Sequence, residues 1–502
     1  LQLNGDIGDD IQIRAAISDA NIPIQPEGNT QQLNEFDRVF IELKKNKTKL
    51  LLGDYQQGNR ESYFLKYFKK LQGAQFTQES FELGKGELSI QSSFALTKGK
   101  FARNAFAGEE GNQGPYKLRG AEGETFIIIL ANTEKVYIDG KLLTRGFDND
   151  YIIDYNAGTI TFTVRQPMTT ERRIIIEFEY NDQSYLRSLY TVQTEYKRKN
   201  LRLYSNVYAE QDGKSRVGEG PLSKEQQTIL AQAGDNPFLA GIPAIDTASN
   251  STNPISYIFK DTIINGNSTQ ILEYATGNNE ELIYYTAFFS NLGAGNGSYQ
   301  QTDLDANGLV YQFVGSDEDG NLNGAYEPIR LLPLPQSKKL INLGLQQSLG
   351  STGNFSTEIA LSQNDLNRLS PLDTEDDWGL ALFTTLNKNF SPDKKWSGSL
   401  NASHEWKQKN FKAINPYRLP EFNRDWDIGT NNSNLIPLEE HLGNGVLSVL
   451  NKSKGIKLDY EFSLLARGDE YLGLKHLGRF VLENKKWTMD GKVSVLNSDT
   501  NF

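Results

Sequence analysis

An alternation of period two runs from Ile456 to Val495 and constrains this chain more than any other feature. Even positions read Ile456, Leu458, Tyr460, Phe462, Leu464 and Ala466, against Lys457, Asp459, Glu461 and Ser463 at the odd ones. Successive strand residues point to opposite faces, so one face is apolar and the other wet. The same phase carries Leu472, Leu474, His476, Gly478, Phe480 and Leu482, opposed by Lys475, Arg479 and Glu483. After Asn484-Lys485-Lys486 it resumes as Trp487, Met489, Gly491, Val493 and Val495. Runs of about ten residues exceed the usual five or six of a soluble strand and suit a tilted strand crossing a bilayer. The pattern predicts an all-β chain of antiparallel transmembrane strands. Leu458, Tyr460, Phe462, Leu464, Leu472, Leu474, Phe480 and Trp487 would face lipid.

Composition fits a barrel wall better than a membrane helix. The longest apolar run, Phe126 to Ala131, is far short of a helical span, and mean hydropathy is −0.54. A barrel strand needs only every second residue to be apolar, so low hydropathy is no obstacle. The 23 Tyr and 26 Phe suit such a wall. With no cysteine, disulfides and thiolate metal sites are excluded. A net charge of −11 repels phosphate and argues against nucleic acid as a partner. Leu1 begins inside an alternating segment without a basic head, so the expectation is a processed or incomplete piece.

Read in order, residues 1–111 give alternating runs near 1–19, 38–45, 49–56, 62–70, 73–81, 87–97 and 100–107, with a turn read at Gly73. These are N-terminal barrel strands or plug-like hairpins. Residues 112–183 hold short, closely spaced apolar strands (near 124–130, 135–138, 151–155, 159–164 and 173–180) and read as an inserted β-sandwich of about 70 residues, or as a hairpin extension of the wall. Residues 184–211 return to a long hairpin, 212–336 form a long Gly/Asn/Ser/Asp-rich loop with a short helix near 223–233, and 337–502 are barrel strands again. Short and long connections alternate in the second half, broken only at Asp469-Glu470. Outer-membrane barrels pair short periplasmic turns with long extracellular loops, which would put the insert and the 212–336 loop at the cell surface, with a periplasmic or lumenal plug as the alternative for the insert. About 16 strands result if every run belongs to the wall.

The stretches Gly114 to Gly120, Glu134 to Gly146, Asp150 to Phe162 and Ser362 to Ala381 resemble large outer-membrane β-barrels of Bacteroidota, in the style of the SprA (Sov) translocon of type IX secretion. The resemblance covers about a third of the chain. It implies an incomplete barrel in a bacterial outer membrane, with other outer-membrane or surface proteins as partners. It supplies no catalytic residues.

Candidate chemistry is sparse. Asp303, Asp305 and Asn307 have the opening spacing of a calcium loop with Gly308 at the sixth position, but Val314 stands where an EF-hand needs its bidentate carboxylate. Asp317, Asp319 and Asn321 form a second oxygen cluster, and Glu327 could serve either. A structural calcium ion is weighed here against a solvated acidic loop; no other cofactor is expected. Asp365, Asn367, Asp373, Asp376 and Asp377 form a third cluster. His404, His441 and His476 are far apart in sequence and lack zinc spacing, and Trp396, Trp406 and Trp487 at strand ends suit an interfacial girdle. The leading expectation is a non-enzymatic pore, translocon or assembly scaffold with gating or recruiting loops. The alternatives are a soluble secreted multi-domain β-sandwich binding or adhesion protein, and a glycan hydrolase.

Overall fold

The computed structural model describes residues 2–8, 10–17, 39–97, 99–121, 123–181, 184–216, 220–247, 255–264, 267–275, 282–302, 310–317, 319–391, 395–428, 436–484 and 486–500. They form two compact units. One comprises Leu1–Gly220, Ser337–Asn364 and Glu375–Phe502, the other Pro221–Gln336 and Asp365–Thr374.

The first unit is built on sixteen long antiparallel strands, with the two-residue Gly220–Pro221 as a seventeenth member of the sheet. They are β1 (Gln2–Ile7), β2 (Ile11–Ile17), β3 (Val39–Lys45), β4 (Thr48–Asn59), β5 (Tyr67–Leu83), β6 (Gly86–Thr97), β7 (Tyr185–Arg198) and β8 (Leu201–Arg216), followed by β9 (Ser337–Ser348), β10 (Gly353–Asp365), β11 (Trp378–Phe390), β12 (Trp396–Lys407), β13 (Glu440–Asn451), β14 (Ile456–Arg467), β15 (Tyr471–Glu483) and β16 (Thr488–Thr500). Ladders join β1 to β9 in chain order. Ladders likewise join β10 to β16. A tight turn, Leu349 N–H donating to the Gly353 carbonyl at 2.7 Å, links the two series. The all-β class and the count of about sixteen strands hold.

Antiparallel order sorts the connections by length. Turns 8–10, 46–47, 84–85, 199–200, 349–352, 391–395, 452–455 and 484–487 all lie at one end of the strands. Segments 60–66, 98–184, 217–336, 366–377, 408–439 and 468–470 all leave from the other. The short Asp469-Glu470 turn is thus a short member of the long rim and not a break in the pattern.

Two side-chain contacts require the sheet to curl. Gln57 on β4 donates to Thr191 on β7 at 2.7 Å, and the Tyr67 ring on β5 lies 5.0 Å from Tyr208 on β8. Neighbouring strands sit about 4.8 Å apart, so three strand intervals on a flat sheet would exceed the reach of either pair. The concave face is therefore packed, with Leu51, Leu71, Ala95, Leu189, Tyr208, Leu340, Ala360 and Ala381 from eight successive strands in one core.

The convex face is apolar and open. Leu400, Leu447, Tyr460, Gly478 and Val493 stand in one row across β12 to β16, with the four side chains exposed. The next row, on the concave side, reads Ser399, Ser448, Asp459, Arg479 and Lys492.

Three expectations need correction. Lys100–Ala107, read as wall, pairs with Arg173–Asn181 in a separate sheet, so the wall stops at Thr97. Gly73 is no turn but the interior of β5; a Cβ there would lie 2.2 Å from the Phe94 carbonyl, so glycine lets β6 approach closely. Residues 221–336, read as loop, form a compact unit with helix α1 (Lys224–Ala233) and a core of Tyr257, Leu272, Phe289, Tyr299 and Tyr311. Ser223 caps that helix, its hydroxyl accepting from Gln226 N–H at 3.1 Å while the Gln226 side chain accepts from Ser223 N–H.

Residues 100–181 form two small sheets. One holds Lys141–Leu142, Lys135–Ile138, Arg173–Asn181 and Lys100–Ala107, with Ile128–Ile129 pairing beside Arg173–Asn181; the other holds Tyr151–Asp154, Thr159–Phe162 and Tyr116–Lys117. Val136, Ile160, Ile174 and Ile176 are fully buried in their shared core.

Candidate functional site

The polar concave face of β10 to β14 holds one cluster of buried charge. Glu358 on β10, Glu405 on β12 and Glu440 on β13 are all at most 5% exposed. Isolated carboxylates at such sites would be very costly, so each needs partners. Two connections from the long rim fold inward and supply most of them.

Segment 60–66 serves Glu358. Its carboxylate accepts from Ser62 Oγ at 2.8 Å, Tyr63 N–H at 3.0 Å and Phe64 N–H at 3.0 Å. A fourth donor, Tyr204 Oη at 2.7 Å, reaches from β8. That reach depends on Gly344 of β9, since a Cβ there would sit 1.9 Å from the Tyr204 ring. Tyr63 then stacks on Phe383 of β11 with centroids 3.5 Å apart, and its hydroxyl donates to Glu405 at 2.5 Å. Burial, reinforced by Glu405, pushes the Tyr63 phenol up, so it stays a protonated donor.

Segment 408–428 serves the other two carboxylates. Arg418 bridges Glu405 and Glu440, and Tyr417 Oη donates to Glu405 at 2.8 Å. Glu440 also meets Arg467 Nε at 3.0 Å and Lys407 Nζ at 3.3 Å. Glu405 and Glu440 thus face three cations, while Glu358 is met by neutral donors alone. Burial works against the Arg418 charge, but Tyr417, Glu405 and Glu440 outweigh it and raise its pKa. Phe64 joins the two segments through Phe411 and Tyr417, at 5.2 and 5.3 Å between centroids. The segment seats on β11 at Gly379, where a Cβ would meet Phe411 N at 2.2 Å, and on β10 where Ser362 Oγ accepts from Lys412 N–H at 3.0 Å.

The two-sheet domain holds both the wall and the inner segment. Lys69 on β5 lies between Glu179 at 2.9 Å and Glu210 at 3.3 Å, all three nearly inaccessible. Arg173 Nε donates to Glu421 at 3.0 Å, and Arg103 to the Pro420 carbonyl at 3.2 Å. Asp139, in the turn Asp139-Gly140, accepts from Arg172 at 2.9 Å and pairs with Arg173 at 3.1 Å.

The residues singled out from sequence fall elsewhere. Asp303, Asp305 and Asn307 lie outside the described residues. Asp317 spends both carboxylate oxygens on Asn321, accepting from its N–H at 2.8 Å and its Nδ2 at 3.0 Å, which holds the Asp317 carboxyl below its usual range. Glu327 accepts from Ser298 N–H at 2.7 Å. Asn367 is a buried cap, donating to the Leu230 and Gly234 carbonyls at the end of α1, both at 2.7 Å. Leu458, Tyr460, Phe462, Leu472 and Trp487 are exposed, while Leu464, Leu474 and Phe480 are half-buried. His404 and His441, 37 residues apart, are neighbours. Sequence spacing hid that pair because the β12–β13 register sets it. Nothing in the sequence marked Glu358, Glu405 or Glu440; the only signal is a carboxylate in the phase opposite to the apolar one.

Fold and site together define a class: a curled, sixteen-strand antiparallel wall, apolar outside and polar within, whose concave face is filled by its own rim segments, with a two-sheet domain inserted. The domain of unknown function DUF8818 matches residues 101–182, which coincide with the two-sheet domain. No curated protein matches the chain. Among solved structures, the outer-membrane expressed OmpT of Vibrio cholerae is similar at 7% identity and a TM-score of 0.27, over 99% of this chain and 86% of that one. Its loop L8 deletion mutant gives the same identity and score, over 99% and 88%. At that score the architecture is argued from the strands alone. Among the described residues no helix is long and apolar enough to cross a membrane, which leaves crossing by strands untouched.

Proposed function

We propose that the chain is the wall of an outer-membrane β-barrel that works as a pore, translocon or assembly scaffold, with segments 60–66 and 408–428 as its internal plug. The observation that carries this reading is the pairing of rows: Leu400, Leu447, Tyr460 and Val493 exposed on one face, Ser399, Ser448, Asp459, Arg479 and Lys492 on the other. A soluble sandwich would bury its apolar rows between sheets; here they are the exposed ones. Lipid is the solvent that suits them.

The rim carrying the long connections is assigned to the cell surface, and the rim of tight turns to the periplasm. The resemblance to the type IX secretion translocons of Bacteroidota favours protein export among the three roles. Catalysis is not required by any of them. The test is expression with an outer-membrane signal, carbonate washing and a heat-modifiability gel. Retention with a heat-dependent shift is the expected result; recovery in the soluble fraction overturns the reading.

A further inference from the structure

We propose that His404 and His441 form a binding site for a borderline divalent transition-metal ion such as Zn(II), on the convex face at the foot of the 408–439 connection. The chain has three histidines and no cysteine, so imidazoles are its strongest ligands for such ions. Two of the three meet. His404 Nε2 and His441 Nδ1 are 3.3 Å apart, on neighbouring strands and diagonal in the ladder, where His404 faces Gly443 and Trp406 faces His441.

Three observations favour a shared ion over a simple hydrogen bond. Two nitrogens each about 2.0–2.1 Å from one tetrahedral ion stand about 3.3–3.4 Å apart, whereas N–H hydrogen bonds cluster near about 2.9–3.0 Å. The other nitrogen of His441, Nε2, lies 3.7 Å from the Glu439 carboxylate, which Trp406 Nε1 holds by a hydrogen bond at 2.5 Å. At that distance the carboxylate makes no hydrogen bond, but its charge on the far side of the ring favours the tautomer with the proton on Nε2, which leaves Nδ1 to ligate. Space is the third. A Cβ at Gly443, opposite His404, would meet nothing within 4 Å, which leaves room for the ion and the waters that complete its shell. Bound there, the ion would staple β12 to β13 where the inner segment departs. His476 is a built-in control, since its Nδ1 is engaged by Tyr460 Oη at 2.8 Å.

The experiment is a zinc chloride titration of the detergent-solubilised full chain, read by NMR of the histidine ring signals and assigned with His404→Asn, His441→Asn and His476→Asn. The expected result is saturable movement of two of the three ring sets at one equivalent of zinc. Apparent affinity should fall at least tenfold in either of the first two variants and stay unchanged in the third. A hydrogen-bonded pair without a metal site would instead give no saturable change below millimolar zinc. That outcome overturns the proposal, as does full affinity in His404→Asn or His441→Asn, or equal movement of His476. Because none of the three side chains is buried, a retained heat-modifiable gel shift certifies the fold of each variant.

Discussion

At the residue scale, the wall is held by what lies beside its glycines. Tyr204 covers Gly344, Phe390 covers Gly398 and Phe480 covers Gly491, each a cross-strand neighbour whose Cβ would clash with the ring. The aromatic replaces the missing side chain and shields the backbone, which is why Phe480 is half-buried although it belongs to the convex face. Phe462, mid-strand on β14, has no such cover and stands exposed between Gly445 and His476. We expect Phe462→Arg to cost about 2–4 kcal/mol of barrel stability, the cost of a cationic side chain near the bilayer midplane. Lys457→Gln, on the opposite face and paired with Asp459 at 3.3 Å, should change it by less than about 1 kcal/mol. Equilibrium unfolding in urea from lipid vesicles measures both, and equal effects would refute the assigned faces.

At the scale of elements, the long strands were legible because their signal is local. A period of two needs no partner to be read, and β12 to β16 lie where the alternation puts them. The same locality misled at Lys100–Ala107, which alternates like a wall strand; only its pairing with Arg173–Asn181 assigns it to the small domain. Segments 60–66 and 408–428 were illegible as a plug. Residues 62–66 were absorbed into an alternating run near 62–70 that is strand only from Tyr67, 408–428 has no period, and the seats of the two segments, Glu358, Ser362 and Gly379, are far off in sequence. Gly379 offers the direct test of that seating. With Phe411 N and Cα 2.2 and 2.3 Å from a would-be Cβ, Gly379→Val must displace the 408–412 backbone. We expect faster proteolysis between residues 408 and 420 and a loss of about 1–3 kcal/mol, the usual cost of overpacking. In planar bilayers the variant should conduct more than the parent. Unchanged proteolysis and conductance would mean that the segment is not seated by this contact.

At the scale of the whole first unit, two guanidiniums couple the two-sheet domain to the plug, Arg103 on the Pro420 carbonyl and Arg173 on the Glu421 carboxylate. Arg173 pairs with Asp139 in its own domain and donates to Glu421 in the inner segment, so Asp139 positions the group that grips the plug. Burial would raise the Asp139 pKa, but the hydrogen bonds from Arg172 and the Arg173 backbone, with both positive charges, outweigh it and hold the carboxyl below its usual range. A carboxyl whose folded pKa is depressed lends stability that is fully present above its unfolded value, about 3.9, and is lost as pH falls through the lower folded value. The contact should therefore be constant from neutral pH down to about 5 and loosen only in stronger acid. Asp139→Asn removes the charge at every pH. Hydrogen exchange across residues 172–175 and 419–424 of the full chain should show more protection in the parent than in this variant at neutral pH. The difference should shrink as acid protonates Asp139. A difference that persists below the depressed pKa, or that is absent at pH 7, would locate the coupling in the Arg103–Pro420 contact instead.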